Sequence, residues 1–223
     1  MNEPLLKAES LVKKFGSGLT AVHDVSLDLS PGETLGIVGE SGSGKSTLLR
    51  LINGLHRANA GSILFRGSEL VGCSASELRK ARRHMQMIFQ DPYACLNPRM
   101  RVDEILEEPL KIHGFSRKER SSRTREMLDA VQLPASVLRR FPHEFSGGQR
   151  QRIGIARALV LRPELLLADE PVASLDVSVQ AQVLNLLMDL QREFNCAMVF
   201  VAHDLPVVQY ISDRIAVMKA GEL

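Results

Sequence analysis

The feature that most constrains this chain is a glycine-rich segment, GESGSGKST, at residues 39–47. It follows a short apolar run at 34–38, which predicts a buried strand, and it opens a predicted helix at 46–55. That context is typical of a phosphate-binding P-loop, because glycines let backbone N–H groups point at phosphate oxygens. The N-terminus of the helix adds partial positive charge. The sequence therefore predicts a phosphate site at the first strand–helix crossover.

Each P-loop residue has an expected part in holding ATP. Lys45 is expected to reach the β and γ phosphates, and the Ser46 hydroxyl is expected to ligate Mg²⁺. Thr47 can add a further hydrogen bond to phosphate. The predicted nucleotide-binding residues of this loop are Gly39, Glu40, Ser41, Gly42, Ser43, Gly44, Lys45, Ser46 and Thr47.

Two adjacent acids follow the apolar segment LLLA at residues 165–168. Parallel sheets place ligands at the carboxyl ends of their strands. Asp169 is therefore predicted to hold Mg²⁺, directly or through water, and Glu170 is predicted to be the general base that polarises the attacking water. The alternative is a strand that ends in a solvated acidic turn, which the P-loop in the same chain disfavours.

A second anion-binding device is predicted at the segment SGGQ, which opens a helix at residues 147–161. Taken alone, Ser146 would be an ordinary helix N-cap. One ATP does not need two such cradles from one chain, so we infer that two chains meet and that each caps the γ-phosphate bound by its partner. The residues predicted to do so are Ser146, Gly147, Gly148 and Gln149.

Strands and helices alternate along the chain, which predicts an α/β core with a parallel sheet. Strands are predicted at 5–12, 21–29, 34–38, 61–66, 85–89, 165–168, 197–202 and 214–218, and further helices at 178–194 and 205–211. Residues 102–131 are helical in period and interrupt the alternation.

The P-loop, FSGGQ at 145–149, LLLADE at 165–170 and a later His203 resemble, in this order, the ATPase subunit of ATP-binding cassette (ABC) transporters. The resemblance covers essentially the whole chain. It implies a P-loop NTPase fold with a RecA-like parallel-sheet core, an N-terminal antiparallel β subdomain and an inserted helical subdomain. Residues 1–223 would form one domain, with 1–90 and 153–223 as the core and 91–152 as the helical part. Phe145 replaces the family's usual Leu and keeps an apolar anchor.

The same resemblance implies further roles. Gln90 would contact Mg²⁺ and the attacking water, and His203 would contact the γ-phosphate, so both join Glu170 as predicted catalytic residues. Taken alone, Gln90 would be an ordinary polar residue after a strand, and His203 would more often be a structural residue. Asp176 lies in a segment similar to the D-loop, which crosses the dimer interface. Phe15 resembles the aromatic residue that stacks on adenine, with a role in the core as the alternative.

Two longer stretches resemble a subgroup, the ATPases of peptide and nickel importers. They are QDPYACLNPR at 90–99, where Cys95 replaces the usual Ser, and LDVSVQAQVLNLL at 175–187. The implied function is to energise the import of peptides, nickel or a related small solute. Members of this subgroup usually continue past the position of Leu223, so the chain is expected to be truncated or unusually short.

Composition limits the expected partners and location. The net charge is +2, which gives no strong attraction to nucleic acid. The N-terminus lacks the pattern of a secretory signal, and no apolar run approaches the roughly 20 residues that span a bilayer. A cytoplasmic protein is expected, peripheral on the inner face of the cell membrane. The resemblance implies a second ATPase chain, identical or related, membrane-spanning permease subunits and a solute-binding protein.

Residues 111–152 carry ten Lys or Arg against four acids, which indicates either a solvated helical surface or contacts with nucleotide or a partner. The segment that begins near Asn97, Pro98 and Arg99 is predicted to contact a permease. The competing functions are a soluble ABC ATPase, as in carbon–phosphorus lyase, and a non-hydrolysing nucleotide-gated module, which Glu170 disfavours.

Overall fold

The computed structural model describes residues 3–16, 18–91 and 95–223. Ser17, in the predicted turn after Phe15, lies outside the described residues. The same holds for Pro92, Tyr93 and Ala94, which belong to the stretch that resembles importer ATPases.

In chain order, the strands of the described residues are β1 (Leu6–Lys14), β2 (Thr20–Leu29), β3 (Thr34–Val38), β4 (Ala60–Phe65), β5 (Ser68–Glu69), β6 (Met85–Ile88), β7 (Leu165–Asp169), β8 (Ala197–Ala202) and β9 (Arg214–Val217). The helices are α1 (Lys45–Ile52), α2 (Ala75–His84), α3 (Val102–Ile112), α4 (Arg117–Ala130), α5 (Gly147–Leu159), α6 (Val177–Glu193) and α7 (Leu205–Ile211). Two 3₁₀ turns, Ala135–Arg139 and Pro142–Glu144, precede α5.

Within these residues the strands form two sheets. One is antiparallel, in the order β2-β1-β4-β5, and the other is parallel, in the order β6-β7-β8-β3-β9. The carboxyl ends of β6, β7, β8 and β3 meet at one edge of the parallel sheet, so the segments that follow them are brought together. The predicted parallel core and N-terminal antiparallel sheet are both present.

The parallel sheet is covered on both faces, which explains its continuous apolar strands. In β8, Met198 and Phe200 belong to one buried cluster, which includes residues of α3 to α6. Val199 and Val201 point the other way, into a cluster built with α1 and the antiparallel sheet. The edge that carries the predicted site is thus held between two apolar layers.

The helical stretch predicted at 102–131 is divided in the structure. A break between α3 and α4 contains Gly114, whose φ of +79° ends α3, and Ser116, which caps α4. The Ser116 hydroxyl accepts a hydrogen bond from the Glu119 N–H, and the Glu119 carboxylate accepts one from the Ser116 N–H. This capping box, S-x-x-E, was readable in the sequence.

Helix α2 was not predicted, although it has the same signal. Ser74 and Glu77 form its capping box, and all its side chains are exposed or only partly buried. Its apolar residues are few, Ala75, Leu78 and Ala81 among mostly charged and polar ones, so the sequence offers only a short apolar stripe as a helix signal. Most other predicted boundaries agree within two residues; helix α1 ends at Ile52 rather than at residue 55.

None of the helices formed by the described residues combines the length and the apolar character needed to cross a bilayer. The assignment of 91–152 to a separate helical subdomain stays a prediction.

Candidate nucleotide site

The P-loop connects β3 to α1, and its glycines are required by close backbone packing. Gly44 has φ of +109°, and a Cβ built there would lie 2.2 Å from the Ala21 carbonyl oxygen. A Cβ at Gly39 would lie 2.1 Å from the Met218 carbonyl oxygen. A side chain at either position would displace backbone, so only glycine fits the observed loop.

Lys45 lies inside the loop, with its side chain only 3% exposed. Its ammonium group donates to the carbonyl oxygens of Gly39 and Glu40, both at 2.8 Å. The Lys45 Nζ atom also lies 3.9 Å from Oε1 of Glu170. The Lys45 ammonium group, which is expected to bind phosphate, is therefore held in place by carbonyl oxygens of the loop itself.

Asp169 and Ser46 form the second contact of the site. The Ser46 hydroxyl donates to Oδ1 of Asp169 at 2.7 Å, and Asp169 is 1% exposed. Burial raises the pKa of Asp169, and this outweighs the opposing hydrogen bond from Ser46. A raised pKa means that the ligand-free fold loses stability as pH rises from the ordinary aspartate pKa to the raised one. A bound cation would offset that cost.

The Glu170 carboxylate contacts both of the other predicted catalytic residues. Its Oε2 atom lies 3.2 Å from Nε2 of Gln90 and 3.3 Å from Nδ1 of His203. The residue adopts φ of +45°, and its N–H donates to the Val201 carbonyl oxygen at 2.9 Å. A left-handed conformation is uncommon for a non-glycine residue and clusters at functional sites. This backbone turn aims the carboxylate across the carboxyl ends of β6, β7 and β8.

A cleft of about 630 Å³ opens over these groups. Phe15, which is partly buried, lines one side of the cleft, and its ring is nearly perpendicular to that of His56, at a centroid distance of 5.6 Å. The placement is compatible with an adenine platform and is not that of a fully buried core residue. The cleft is lined by Phe15, Leu19, Ala21, Ser41, Gly42, Gly44, Lys45, Ser46, Thr47, Gln90, Glu170, Ala173 and His203.

Three of these lining residues, Leu19, Ala21 and Ala173, were not predicted from the sequence. They carry no polar group, and Leu19 and Ala21 come from the antiparallel sheet and the loop before it. No local pattern marks them. The packing of the two sheets brings Leu19 and Ala21 to the P-loop, whereas Ala173 lies in the turn after β7, where its N–H donates to the Glu170 carbonyl oxygen at 3.2 Å.

The segment Ser146–Gln149 does not line this cleft among the described residues. The Ser146 hydroxyl accepts from the Gln149 N–H, and the Gln149 side chain accepts from the Ser146 N–H, so α5 begins with a capping box. A Cβ at Gly148 would lie 2.5 Å from Val179 Cγ1, which explains the glycine. Ser146 is thus an N-cap, as in the alternative interpretation, on a surface of the chain other than this cleft, and the second phosphate cradle stays a prediction.

Asp176 is the N-cap of α6 and lies on that same surface. Its carboxylate accepts from the Val179 N–H at 3.0 Å and from the Ser178 hydroxyl at 2.7 Å. These hydrogen bonds, that of Val179 first, lower the pKa of Asp176. Val177 beside it is 84% exposed, and Gly147 packs near Leu175. The two elements predicted to meet a second chain therefore form one continuous surface.

Many of the basic side chains of residues 111–152 bond to groups of their own chain. Arg120 pairs with Glu107 at 3.1 Å, and Arg152 donates to the Val131 carbonyl oxygen at 3.2 Å. The Arg140 guanidinium lies 4.4 Å from the ring of Phe145, which is itself 4% exposed. These contacts favour the interpretation of the segment as a self-paired helical surface and give Phe145 its anchoring place.

A family model described as ABC transporter matches residues 22–173. The oligopeptide transport ATP-binding protein OppF of Bacillus subtilis is 52% identical over 229 residues, which cover 100% of this chain and 75% of that protein. The oligopeptide transport ATP-binding protein AppF of the same organism is 54% identical over 205 residues, covering 91% of this chain and 62% of that protein.

A solved structure has the same architecture. It is a dimeric ATP-binding cassette in a post-hydrolysis state, bound to ADP and Pi. The likeness has a TM-score of 0.87 at 33% identity and covers 98% of this chain and 96% of that chain. The predicted fold class is confirmed.

Proposed function

This chain belongs to the ABC transporter family, and from that membership we propose that it is the ATP-hydrolysing subunit of an importer of peptides. It is an ATPase of the ABC type, as predicted. The proposal that the solute is a peptide rests on the relatives, because those at 52% and 54% identity are named for oligopeptide transport. These names do not support nickel as the solute, nor do they favour the carbon–phosphorus lyase alternative.

The observation that carries the catalytic part is the position of Glu170. A carboxylate that faces the cleft and touches Gln90 and His203 can orient a water molecule toward the γ-phosphate of ATP bound at Lys45. The water oxygen would attack the γ-phosphorus while the bond to the β,γ-bridging oxygen breaks, and ADP leaves. Glu170 would take the proton of the water. The lysine and the backbone amides of the loop would meet the developing negative charge.

The residues at the site suit Mg²⁺ brought with ATP. The Ser46 hydroxyl and the buried Asp169 carboxylate are adjacent oxygen donors, and Gln90 is predicted to join them. The described residues contain no group of three or more Cys, His, Asp or Glu side chains able to hold a metal by themselves. Mg²⁺ is commonly bound by one or two protein oxygens together with phosphates. When bound, it would neutralise charge on the β and γ phosphates.

The second half of each site would come from another chain. In support, the segment Ser146–Gln149 packs beside Leu175 and Val179 and does not line the cleft over the P-loop of its own chain. A like cassette has been solved as a dimer, which supports a paired arrangement. In it, the Ser146 hydroxyl and the amides of Gly147 and Gly148 would contact the γ-phosphate held by the partner. A pair of identical chains and a pair of related chains both fit this proposal.

The contact with the permease would lie where the chain leaves Gln90. Leu96 is 1% exposed and anchors the segment, whereas Asn97, Pro98 and Arg99 are exposed. The Asn97 side chain accepts from the Arg99 N–H at 3.0 Å, which fixes the turn. The chain would then work on the inner face of the cell membrane, against permease subunits that receive peptide from a solute-binding protein.

Loss of peptide uptake tests the substrate assignment. In cells in which the chromosomal copy carries Glu170→Gln, uptake of a radiolabelled tripeptide should fall to near background, because the subunit is present but cannot turn over. Nickel uptake in the same cells is the matched control and should be unchanged. Normal tripeptide uptake, with the variant present at its usual level, would contradict the proposal.

Phe15→Ala should weaken ATP binding by about 3- to 10-fold, the value expected for one lost aromatic stacking contact. Binding of inorganic triphosphate should be unaffected, because it lacks the base. Phe15→Tyr should retain wild-type affinity. Titration calorimetry with both ligands separates the two roles: equal loss of both would show that Phe15 only supports the fold around the P-loop.

A further inference from the structure

A turn at residues 218–222 lies against the outer side of the P-loop. It follows β9 and is closed by reciprocal hydrogen bonds between Lys219 and Glu222, at 2.9 and 3.0 Å. Its two central residues are Ala220, with φ of +50°, and Gly221, with φ of +87°. Neither the sequence motifs nor the proposed reaction uses this turn.

One hydrogen bond joins the turn to the loop. The Gly221 N–H donates to the Ser43 carbonyl oxygen at 2.9 Å. In a trans peptide the C=O and the next N–H point in opposite directions. Holding the Ser43 oxygen outward, on the turn, therefore directs the Gly44 N–H inward, toward the cleft that Gly44 lines.

Close packing holds the turn in place on both sides. Met218 is 1% exposed; its carbonyl oxygen and its terminal methyl group lie against Gly39 and Gly44, respectively. On the far side, the Gly221 carbonyl oxygen accepts from the His23 N–H of β2 at 2.7 Å. The turn is thus fixed between the antiparallel sheet and the P-loop, with little room to shift.

We infer that Gly221 and Met218 are positioning residues for ATP: they set the direction of the Gly44 amide that meets phosphate. The inference rests on the proposed nucleotide site. It assigns to the turn an effect on nucleotide affinity that is separate from its contribution to stability. Displacing the turn would free the Ser43–Gly44 peptide to rotate, and the amide would be lost from the phosphate cradle.

The chain offers a matched control. Arg66 and Gly67 form the two-residue turn between β4 and β5, with φ of +53° and +71°, and a Cβ at Gly67 would touch nothing within 4 Å. Gly221→Pro and Gly67→Pro therefore disrupt the same kind of turn, but only the first removes a donor to the P-loop. The dissociation constant of a fluorescent ATP analogue and the unfolding temperature without nucleotide are measured for both variants and for the wild type.

Gly221→Pro should raise the dissociation constant by about 10-fold or more, as expected when one hydrogen bond to a charged group is lost. Gly67→Pro should bind like the wild type, although both variants lower the unfolding temperature, Gly221→Pro by more because its turn is packed against β2 and the P-loop. Wild-type affinity in Gly221→Pro, or equal weakening in both variants, would overturn the inference.

A second pair of variants is used if Gly221→Pro does not fold. Met218→Ala is then compared with the control Met198→Ala, a buried methionine in the other core cluster, and only Met218→Ala should weaken binding of the analogue. A wild-type chain that fails to bind the analogue would overturn the nucleotide site itself.

Discussion

We expect Glu170→Gln to reduce ATP hydrolysis by at least about 100-fold and to leave ATP binding intact, because the variant would lack the predicted general base. The amide keeps the size of the carboxylate and can still accept from Gln90, but it cannot take a proton from water. Phosphate release and binding of a fluorescent ATP analogue, measured on the same preparation, separate turnover from affinity. With ATP bound and not consumed, the variant should also accumulate as a dimer in size-exclusion chromatography.

Glu164→Gln is the matched control for this change. Glu164 immediately precedes the first residue of β7, at the end of the strand opposite to Glu170. Its side chain is 43% exposed and pairs with Arg66 and His84 on the surface. Removing its charge should alter neither turnover nor binding, since exposed ion pairs contribute little. Hydrolysis by Glu170→Gln at the level of this control would rule out Glu170 as the general base.

The convergence of the three residues proposed to be catalytic could be predicted from the sequence because each follows a strand. Gln90, Glu170 and His203 come after β6, β7 and β8, which are neighbours in the parallel sheet. The carboxyl ends of parallel strands share one edge, so three side chains far apart in sequence meet there. Their contacts with one another, and the left-handed backbone of Glu170, carry no sequence signal.

The features of the site that were not predicted depend on contacts between elements that are distant in sequence. The approach of Ala21 and Met218 to the P-loop follows from how two sheets pack, and a local pattern does not encode that packing. The break before α4 and the presence of α2 are different, because both were marked by a capping box. Both features could have been predicted if Ser-x-x-Glu capping signals had been considered together with apolar periodicity.

Two inactive variants should restore activity when mixed. Lys45→Ala removes the phosphate contact of the P-loop, and Ser146→Arg blocks the cradle at the start of α5. Each variant alone should lose at least about 100-fold in hydrolysis, as is usual when a preorganised charge contact is removed. In a mixed dimer, the P-loop of the Ser146→Arg chain faces the intact cradle of the Lys45→Ala chain, which gives one complete site.

With equal amounts of the two chains, random pairing makes about half of the dimers mixed. One of the two sites in each mixed dimer is complete, so about a quarter of wild-type activity should return if the two sites act independently. Lys45→Ala mixed with a chain carrying both substitutions is the control, because no pair in that mixture has an intact P-loop and activity should stay at background. Different affinity tags on the two chains show whether mixed dimers have formed. No recovery in a mixture whose tags co-purify would contradict a shared site. Any activity retained by Ser146→Arg alone would have to arise without the cradle, since every cradle in that preparation is blocked.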